Sequence, residues 1–131
     1  MTMTTLILLT TLLCLLQTFL PPLFRYYLRP DPKIGAALGN RDAPVEASVY
    51  AGRAERALRN MMEAMLLFTP VALLATTQPG VDQDGAVFGA LIFLAARAVY
   101  VPVYILGVAG LRSLVWTVGH VGVLLIALEL L

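Results

Sequence analysis

Hydrophobic positions along the chain form four long runs separated by short polar segments, a pattern typical of a membrane-spanning bundle. The first run, residues 3–24, carries no charged side chain and is long enough to cross a hydrocarbon core of roughly 30 Å. Three further runs cover about residues 43–77, 86–106 and 111–131. The pattern predicts an all-α membrane protein whose four transmembrane helices form one domain over residues 1–131.

Local signals place the ends of these helices. Asp42 is predicted to cap the second helix, with Pro44 in its first turn, and Pro70 is predicted to bend it. A tight turn from Gly107 to Gly110 separates the third and fourth helices. The first run lacks a positive n-region and is too long for the apolar core of a signal peptide, so we expect the mature protein to retain it.

Composition and charge support a membrane location. Of 131 residues, 60% are hydrophobic and 13% charged, against roughly 25% charged in an average soluble domain. The length suits one small bundle, so a site must lie between helices or between copies of the chain. No basic tail suggests nucleic acid as a partner. Basic residues concentrate in the first and third loops, which predicts that these loops are cytoplasmic and that both termini lie outside. They are Arg25, Arg29, Lys33, Arg41 and Arg112.

A stripe of polar side chains enters the second run. Arg56, Asn60 and Glu63 are spaced i, i+4 and i+7, so a helix presents them on one face. Glu63 would lie about 10 Å deeper than Arg56. Exposing a charge to lipid costs at least roughly 2.5 to 3.5 kcal/mol, so we expect Glu63 to pair with Arg97 of the third helix. A salt bridge that fixes helix register and a binding site both fit this pattern.

The third and fourth helices supply a second group of polar residues. Tyr100 and Tyr104 share a face with Arg97, and Arg112 and Ser113 begin the fourth helix at a similar level. The tyrosines alone would suit a membrane belt, and Arg112 alone would suit a topology marker. Together with the stripe they form a cationic cluster with hydroxyl and amide donors, which suits a small ligand with carboxylates and a polarisable anion.

Two isolated residues carry less information. Cys14 is expected to be a buried thiol within the first helix. His120 is expected to be a hydrogen-bonded core histidine, because no cysteine, aspartate or second histidine stands at metal-ligand spacing. We therefore predict no metal site. The sequence also lacks a Gly-rich phosphate loop and a nucleophile elbow, so it does not support nucleotide or hydrolase chemistry.

The ordered set of motifs resembles a known family, the membrane-associated proteins in eicosanoid and glutathione metabolism (MAPEG). Residues 55–63, Glu-Arg-Ala-Leu-Arg-Asn-Met-Met-Glu, are similar to the family's R-x-x-x-N-x-x-E glutathione motif. The four runs, the tyrosine pair after Arg97, and Arg112-Ser113 agree with it, and residues 39–42 resemble bacterial members. The resemblance implies a homotrimer in the bacterial inner membrane, with glutathione bound between subunits near the cytoplasmic side.

The resemblance also implies roles for individual residues. Glutathione contacts would come from Arg56, Arg59, Asn60, Glu63, Arg97, Tyr100, Tyr104 and Ser113, and Arg112 would be the catalytic arginine. Either Arg25 or Arg29 resembles a second arginine near the reacting sulfur. Ala64 and Trp116 stand where eicosanoid-specific members have tyrosines. Eicosanoid substrates are therefore not supported.

Three functions follow as hypotheses. The first is a glutathione-dependent transferase or peroxidase that acts on apolar electrophiles or lipid hydroperoxides from the bilayer. The second is a non-catalytic lipid-binding or scaffold protein, such as an accessory subunit of a membrane complex. The third is an ion or proton path through Glu63 and Arg97, which lacks the broken paired helices of transporters.

Overall fold

A computed structural model describes residues 1–40 and 42–131 of the chain. Over these residues the protein is helical and has no strand. Within the same part of the chain, four helical segments are long and apolar enough to cross a membrane, which confirms the predicted four-helix architecture. We call them the first to fourth spans: Met3–Tyr27, Val49–Thr77, Gln83–Leu106 and Ala109–Leu128. Arg41, which contributes to the predicted basic loop and to the family resemblance, lies outside the described residues.

The first span changes its helical geometry near its end. An α-helix covers Met3–Gln17, a short helical turn covers Leu20–Pro22, and a π-helical turn covers Leu23–Tyr27. The two adjacent prolines lack backbone N–H donors, which explains why the regular hydrogen-bond ladder stops here. The span runs three residues further than the predicted end at residue 24. The first loop, predicted to be irregular, contains a short helix over Ile34–Leu38.

The second span begins at Val49, so the predicted start near residue 43 with Asp42 as its cap is wrong. Ser48 is the N-cap, and its Oγ accepts a hydrogen bond from the backbone N–H of Ala51 at 3.1 Å. Two arginines of the first span and loop donate to the backbone carbonyls of residues 45–46. These tertiary contacts hold the preceding segment extended, and local sequence signals could not reveal them.

The third and fourth spans make the most extensive contact in the bundle. A Cβ atom added to Gly122 would lie 2.6 Å from the carbonyl oxygen of Gly89, and one added to Gly89 would lie 2.7 Å from that of Gly122. The two backbones therefore touch directly, as small residues allow in membrane bundles. Gly107 ends the third span with a φ of +83°, which favours glycine.

A hydrophobic core fills one end of the bundle, which we call the apolar half. The rings of Phe68 and Phe93 stack there with centroids 4.3 Å apart. Gln78 donates to the carbonyl of Leu130 at 2.9 Å, so the C-terminus lies beside the loop that joins the second and third spans. The buried members are Met3, Leu6, Ala64, Phe68, Ala72, Ala75, Ala86, Ala90, Phe93 and Ile126. Both chain termini therefore lie at this end.

Two further predictions concern the first two spans. Cys14 is only half-buried and lines an apolar groove with Met62 and Met65, so the predicted buried thiol is wrong for the single chain. Pro70 lies inside the second span, whose helix continues to Thr77. The bend at Pro70 stays a prediction.

Candidate functional site

A cavity of about 460 Å³ opens between the second, third and fourth spans, near the turn at Gly107. We call it the polar cavity. Small-molecule sites commonly have volumes of about 300 to 1,000 Å³, so a compact ligand fits its size. Its lining is Asn60, Tyr100, Tyr104, Arg112, Ser113, Trp116 and Thr117.

Arg97 lies directly behind this cavity and is 1% exposed. Its Nη1 donates to Asn60 Oδ1 at 2.7 Å, and its guanidinium carbon lies 5.3 Å from the ring centroids of both Phe93 and Tyr100. The predicted ion pair with Glu63 is wrong, because Glu63 is exposed and pairs with no described residue. At 100° per residue, Glu63 is turned about 60° around the helix from Asn60. That rotation directs Asn60, and not Glu63, toward the third span.

The contact between Arg97 and Asn60 fixes the chemistry that Asn60 offers. A guanidinium only donates hydrogen bonds, so the amide oxygen of Asn60 must face Arg97. The amide nitrogen, with two N–H donors, is then the group that Asn60 has left for the cavity that it lines. Arg97 thus acts on the cavity through Asn60.

His120 lies on the fourth span beside the same arginine and is half-buried. Its Nδ1 lies 2.8 Å from the carbonyl oxygen of Trp116 and 3.5 Å from Arg97 Nη2. One nitrogen cannot donate to the carbonyl and accept from the guanidinium in the same tautomer. The shorter contact favours donation to Trp116, so the predicted hydrogen bond of His120 is present. The side chain is half-buried, however, so the prediction of a core histidine is wrong for the single chain. Arg97 Nε has no hydrogen-bond partner among the described residues.

Arg112 holds the positive charge of the cavity. Its guanidinium carbon lies 4.9 Å from the Tyr104 ring centroid, and Tyr104 meets Tyr100 edge to face at 5.4 Å. Arg112 forms no ion pair with any described residue. It also lies in the first turn of the fourth span, near the positive end of the helix dipole. The charge is therefore uncompensated and available to a bound anion.

The structure separates the nine predicted site residues into three groups. Asn60, Tyr100, Tyr104, Arg112 and Ser113 meet at the polar cavity, and Arg97 stands behind it. The remaining three residues, all on the second span, are exposed and do not line the cavity: Arg56, Arg59 and Glu63.

Two lining residues, Trp116 and Thr117, were not among the predicted site residues. They follow Arg112 and Ser113 by four positions on the same helix, so helical spacing alone could have identified them. The ring of Trp116 also lies against His120, with centroids 3.9 Å apart.

The two candidates for a second arginine near the sulfur are both engaged elsewhere in this chain. Arg25 forms an ion pair with Glu55 of the second span. Arg29 Nη1 donates to the backbone carbonyls of Arg25 at 3.2 Å and Glu46 at 3.3 Å. Neither lines the polar cavity. A contribution from either to a site would therefore have to come in a neighbouring copy or after rearrangement.

Fold and site together define an integral membrane protein of four helical spans with a donor-lined, cationic cavity between three of them. The sequence profile of the MAPEG family matches residues 5–131, so the chain belongs to the MAPEG family. It is therefore a membrane protein of the kind that serves glutathione and eicosanoid metabolism. No curated protein and no solved structure matches the chain.

Proposed function

We propose that the protein is a glutathione-dependent transferase or peroxidase that acts on apolar electrophiles or lipid hydroperoxides dissolved in the bilayer. The observation that carries this proposal is the unpaired guanidinium of Arg112 in the polar cavity. An arginine in the first turn of a helix lies near the positive end of the helix dipole, which disfavours a cation, and among the described residues Arg112 has no acidic partner that would offset this cost. A ligand with an anionic sulfur would supply the missing charge.

The chemistry of the cavity fits glutathione. Glutathione carries carboxylates, peptide carbonyls and a thiol, and it is anionic overall at neutral pH. Among the described lining residues none is acidic, while Asn60 offers amide N–H donors and Arg112 a guanidinium. Charge-assisted hydrogen bonds of this kind are the stronger ones in proteins. The association of the MAPEG family with glutathione supports the same ligand.

The residues would serve different parts of the reaction. Glutathione supplies a thiol nucleophile, and a free thiol with a pKa of about 8.5 is only a few per cent ionised at neutral pH. The positive charge of Arg112 would favour the ionised form. Asn60, held by Arg97, would orient the peptide through its amide donors. The apolar second substrate would approach from the lipid phase.

The exposed charged residues of the second span support an assembly in which another copy covers this face, and the family resemblance implies that the assembly is a homotrimer. The cost of a charged side chain that faces lipid rises toward roughly 2.5 to 3.5 kcal/mol at the bilayer centre. Glu63 is exposed in the single chain, as are Arg56 and Arg59 nearer the start of the same helix. A neighbouring subunit that covers this face would remove the cost. It would also bring these residues to a glutathione bound at the boundary. Native mass spectrometry of the detergent-solubilised protein tests the assembly, with three chains expected and a monomer contradicting it.

The polar cavity lies at the end of the bundle nearest the Gly107 turn, which belongs to the third loop. The basic residues of the first and third loops would place this end in the cytoplasm, where glutathione is available. Labelling of cysteines introduced one at a time at Gly110 and Asp82, in a Cys14→Ala background, by a membrane-impermeant maleimide tests the orientation. Cytoplasmic access at Gly110 and external access at Asp82 are expected, and the reverse pattern would contradict it.

Purified protein in nanodiscs provides the functional test. We expect glutathione binding, conjugation of a generic aryl halide or reduction of a lipid hydroperoxide, and loss of turnover in Arg112→Ala. Inactivity of the wild-type protein toward a panel of electrophiles and hydroperoxides would reject the enzyme. Lipid binding without affinity for glutathione, or co-purification with a fixed partner at constant stoichiometry, would favour the non-catalytic alternative.

A further inference from the structure

Arg53, one helical turn before the predicted glutathione motif, reaches from the second span to the turn between the third and fourth spans. Its Nη1 donates to the carbonyl oxygen of Ile105 at 3.0 Å. A Cβ atom added to Gly107 would lie 2.6 Å from Arg53 Cζ, 2.6 Å from Nη2 and 2.7 Å from Nη1. Because these three distances are nearly equal, the guanidinium presents its flat side, and not its edge, to Gly107.

The turn that Arg53 contacts is very short. Two residues, Gly107 and Val108, separate the third span from the fourth. The N–H groups of both donate to the carbonyl of Val103, at 3.1 Å and 3.2 Å, which closes the end of the helix. The carbonyl of Ile105 belongs to the last turn, where carbonyls lack helical partners, and Arg53 supplies one.

This turn determines how the walls of the polar cavity meet. Tyr104 lies three residues before Gly107 and Arg112 five residues after it, and their side chains are in contact across the turn. Arg53 also precedes Asn60 by seven residues, so the two share a face of the second span. One guanidinium therefore ties the turn to the helix face that presents Asn60 to the cavity.

We propose that Arg53 is a positioning residue that sets Arg112 against Tyr104 and thereby sets where the positive charge of the cavity lies. Its catalytic consequence rests on the proposed function, whereas its effect on the fourth span does not. Lysine would keep a positive charge at the end of the third span, but it lacks the planar fork that lies on Gly107. The variants Arg53→Gln and Arg53→Lys therefore separate charge from geometry.

Trp116, the sole tryptophan of the sequence, lies one helical turn after Arg112 and lines the cavity. Its fluorescence quenching by iodide, measured without glutathione, reports the position of the fourth span. We expect quenching to change in Arg53→Gln and, to a smaller extent, in Arg53→Lys. Lys33→Gln, which removes a cation of the first loop, is the matched control and should behave like the wild type.

The second readout is the pH dependence of thiolate absorbance from bound glutathione. In Arg53→Gln we expect the profile to move to higher pH by about one unit, which lowers the thiolate fraction about tenfold at pH values well below the midpoint. The affinity for glutathione should change less than this, because Arg53 does not line the cavity. A purely structural loss would lower the amount of folded protein without moving the profile.

The outcomes are distinguishable. If the wild-type protein does not bind glutathione, the proposed function fails, and Trp116 quenching alone decides whether Arg53 positions the fourth span. If Arg53→Gln does not fold by circular dichroism, Arg53→Lys carries the same two measurements. Folded variants that match the wild type in both quenching and thiolate profile would overturn the proposal.

Discussion

The two halves of the bundle bury different chemistry. In the apolar half, alanines and glycines bring backbones into contact and Phe68 stacks on Phe93. The other half, which we call the polar half, holds the polar cavity together with Arg97, which is 1% exposed, and Gln17, which is 3% exposed. Gln17 lies eleven residues beyond Leu6, about 16 Å further along the first span. Both Gln17 side-chain polar atoms and Arg97 Nε lack a hydrogen-bond partner among the described residues.

The difference between the two halves indicates which of them contributes most to the free energy of unfolding. Close packing of small residues stabilises membrane bundles through dispersion contacts. A buried polar atom without a partner costs free energy instead. One end of the molecule is therefore built for packing, and the other retains polar groups that folding alone does not explain. Substitutions in the two halves should separate stability from function.

The largest effect is expected for Arg112→Ala in the polar half. Loss of the charge that favours the anionic sulfur should lower turnover by about 10² to 10³, comparable with removal of one preorganised donor from an oxyanion site. Thermal unfolding should hardly change, since Arg112 pairs with no described acidic residue. Steady-state kinetics and scanning calorimetry measure the two quantities. Turnover equal to that of the wild-type protein would contradict a catalytic role for Arg112.

Gly122→Val is the corresponding change in the apolar half. The added atoms would meet the carbonyl of Gly89 and the backbone nitrogen of Phe93, at 2.6 Å and 2.8 Å from the Cβ position. We expect a loss of about 1 to 3 kcal/mol or more in the free energy of unfolding, as for other overpacked cores. Unfolding in mixed micelles measures it. Gly110→Ala in the same span has open space at Cβ and should cost little, so equal losses would contradict the packing argument.

Removing Arg97 tests whether the polar half contributes stability through its polar contacts. Arg97→Met leaves the amide oxygen of Asn60 without its donor and should cost about 1 to 3 kcal/mol of unfolding free energy. The double variant Arg97→Met with Asn60→Leu should recover most of that loss, because it removes both partners. The affinity for glutathione should be lower than that of the wild-type protein in both the single and the double variant. A double variant no more stable than Arg97→Met would contradict this account, because removal of the orphaned amide oxygen would then recover nothing.

Glu63→Gln should have the smallest effect on the isolated fold. Glu63 has no ion pair with a described residue, so the free energy of unfolding of the monomer should change by no more than about 0.5 kcal/mol. Under conditions that preserve the oligomer, glutathione affinity should fall if a neighbouring subunit brings Glu63 to the ligand. A large destabilisation of the monomer would instead indicate that Glu63 does form an ion pair with Arg97.

Hydrophobic periodicity was sufficient to predict the fold, but it was not sufficient to predict which side chains contact one another within it. The four spans follow from run lengths, and the spacing of Arg97, Tyr100 and Tyr104 places them on one face, as found. Periodicity assigns residues to helix faces, but it does not say how far each helix is rotated against its neighbour. For that reason Asn60, and not Glu63, became the partner of Arg97.

The other differences between the sequence-based predictions and the structure have separate physical causes. The start of the second span depends on long-range contacts from arginines of the first span and loop to residues 45–46, which local capping signals cannot show. Trp116 could have been found from its helical spacing to Arg112, because both lie on one face of the fourth span. The surroundings of Arg56 depend on what covers an exposed helix face, which a single chain does not contain.

Equilibrium binding of glutathione to Asn60→Asp, measured together with thermal unfolding, is the sharpest test of whether the polar half is a glutathione site. The new carboxylate would face Arg97 at the position where the amide oxygen now accepts at 2.7 Å, so the unfolding temperature should hold or rise. The same change removes the amide donors from the cavity and adds a negative charge, so affinity should fall at least about tenfold, or roughly 1.4 kcal/mol. Wild-type affinity in a stable Asn60→Asp protein would contradict the claim that the polar half is a glutathione site.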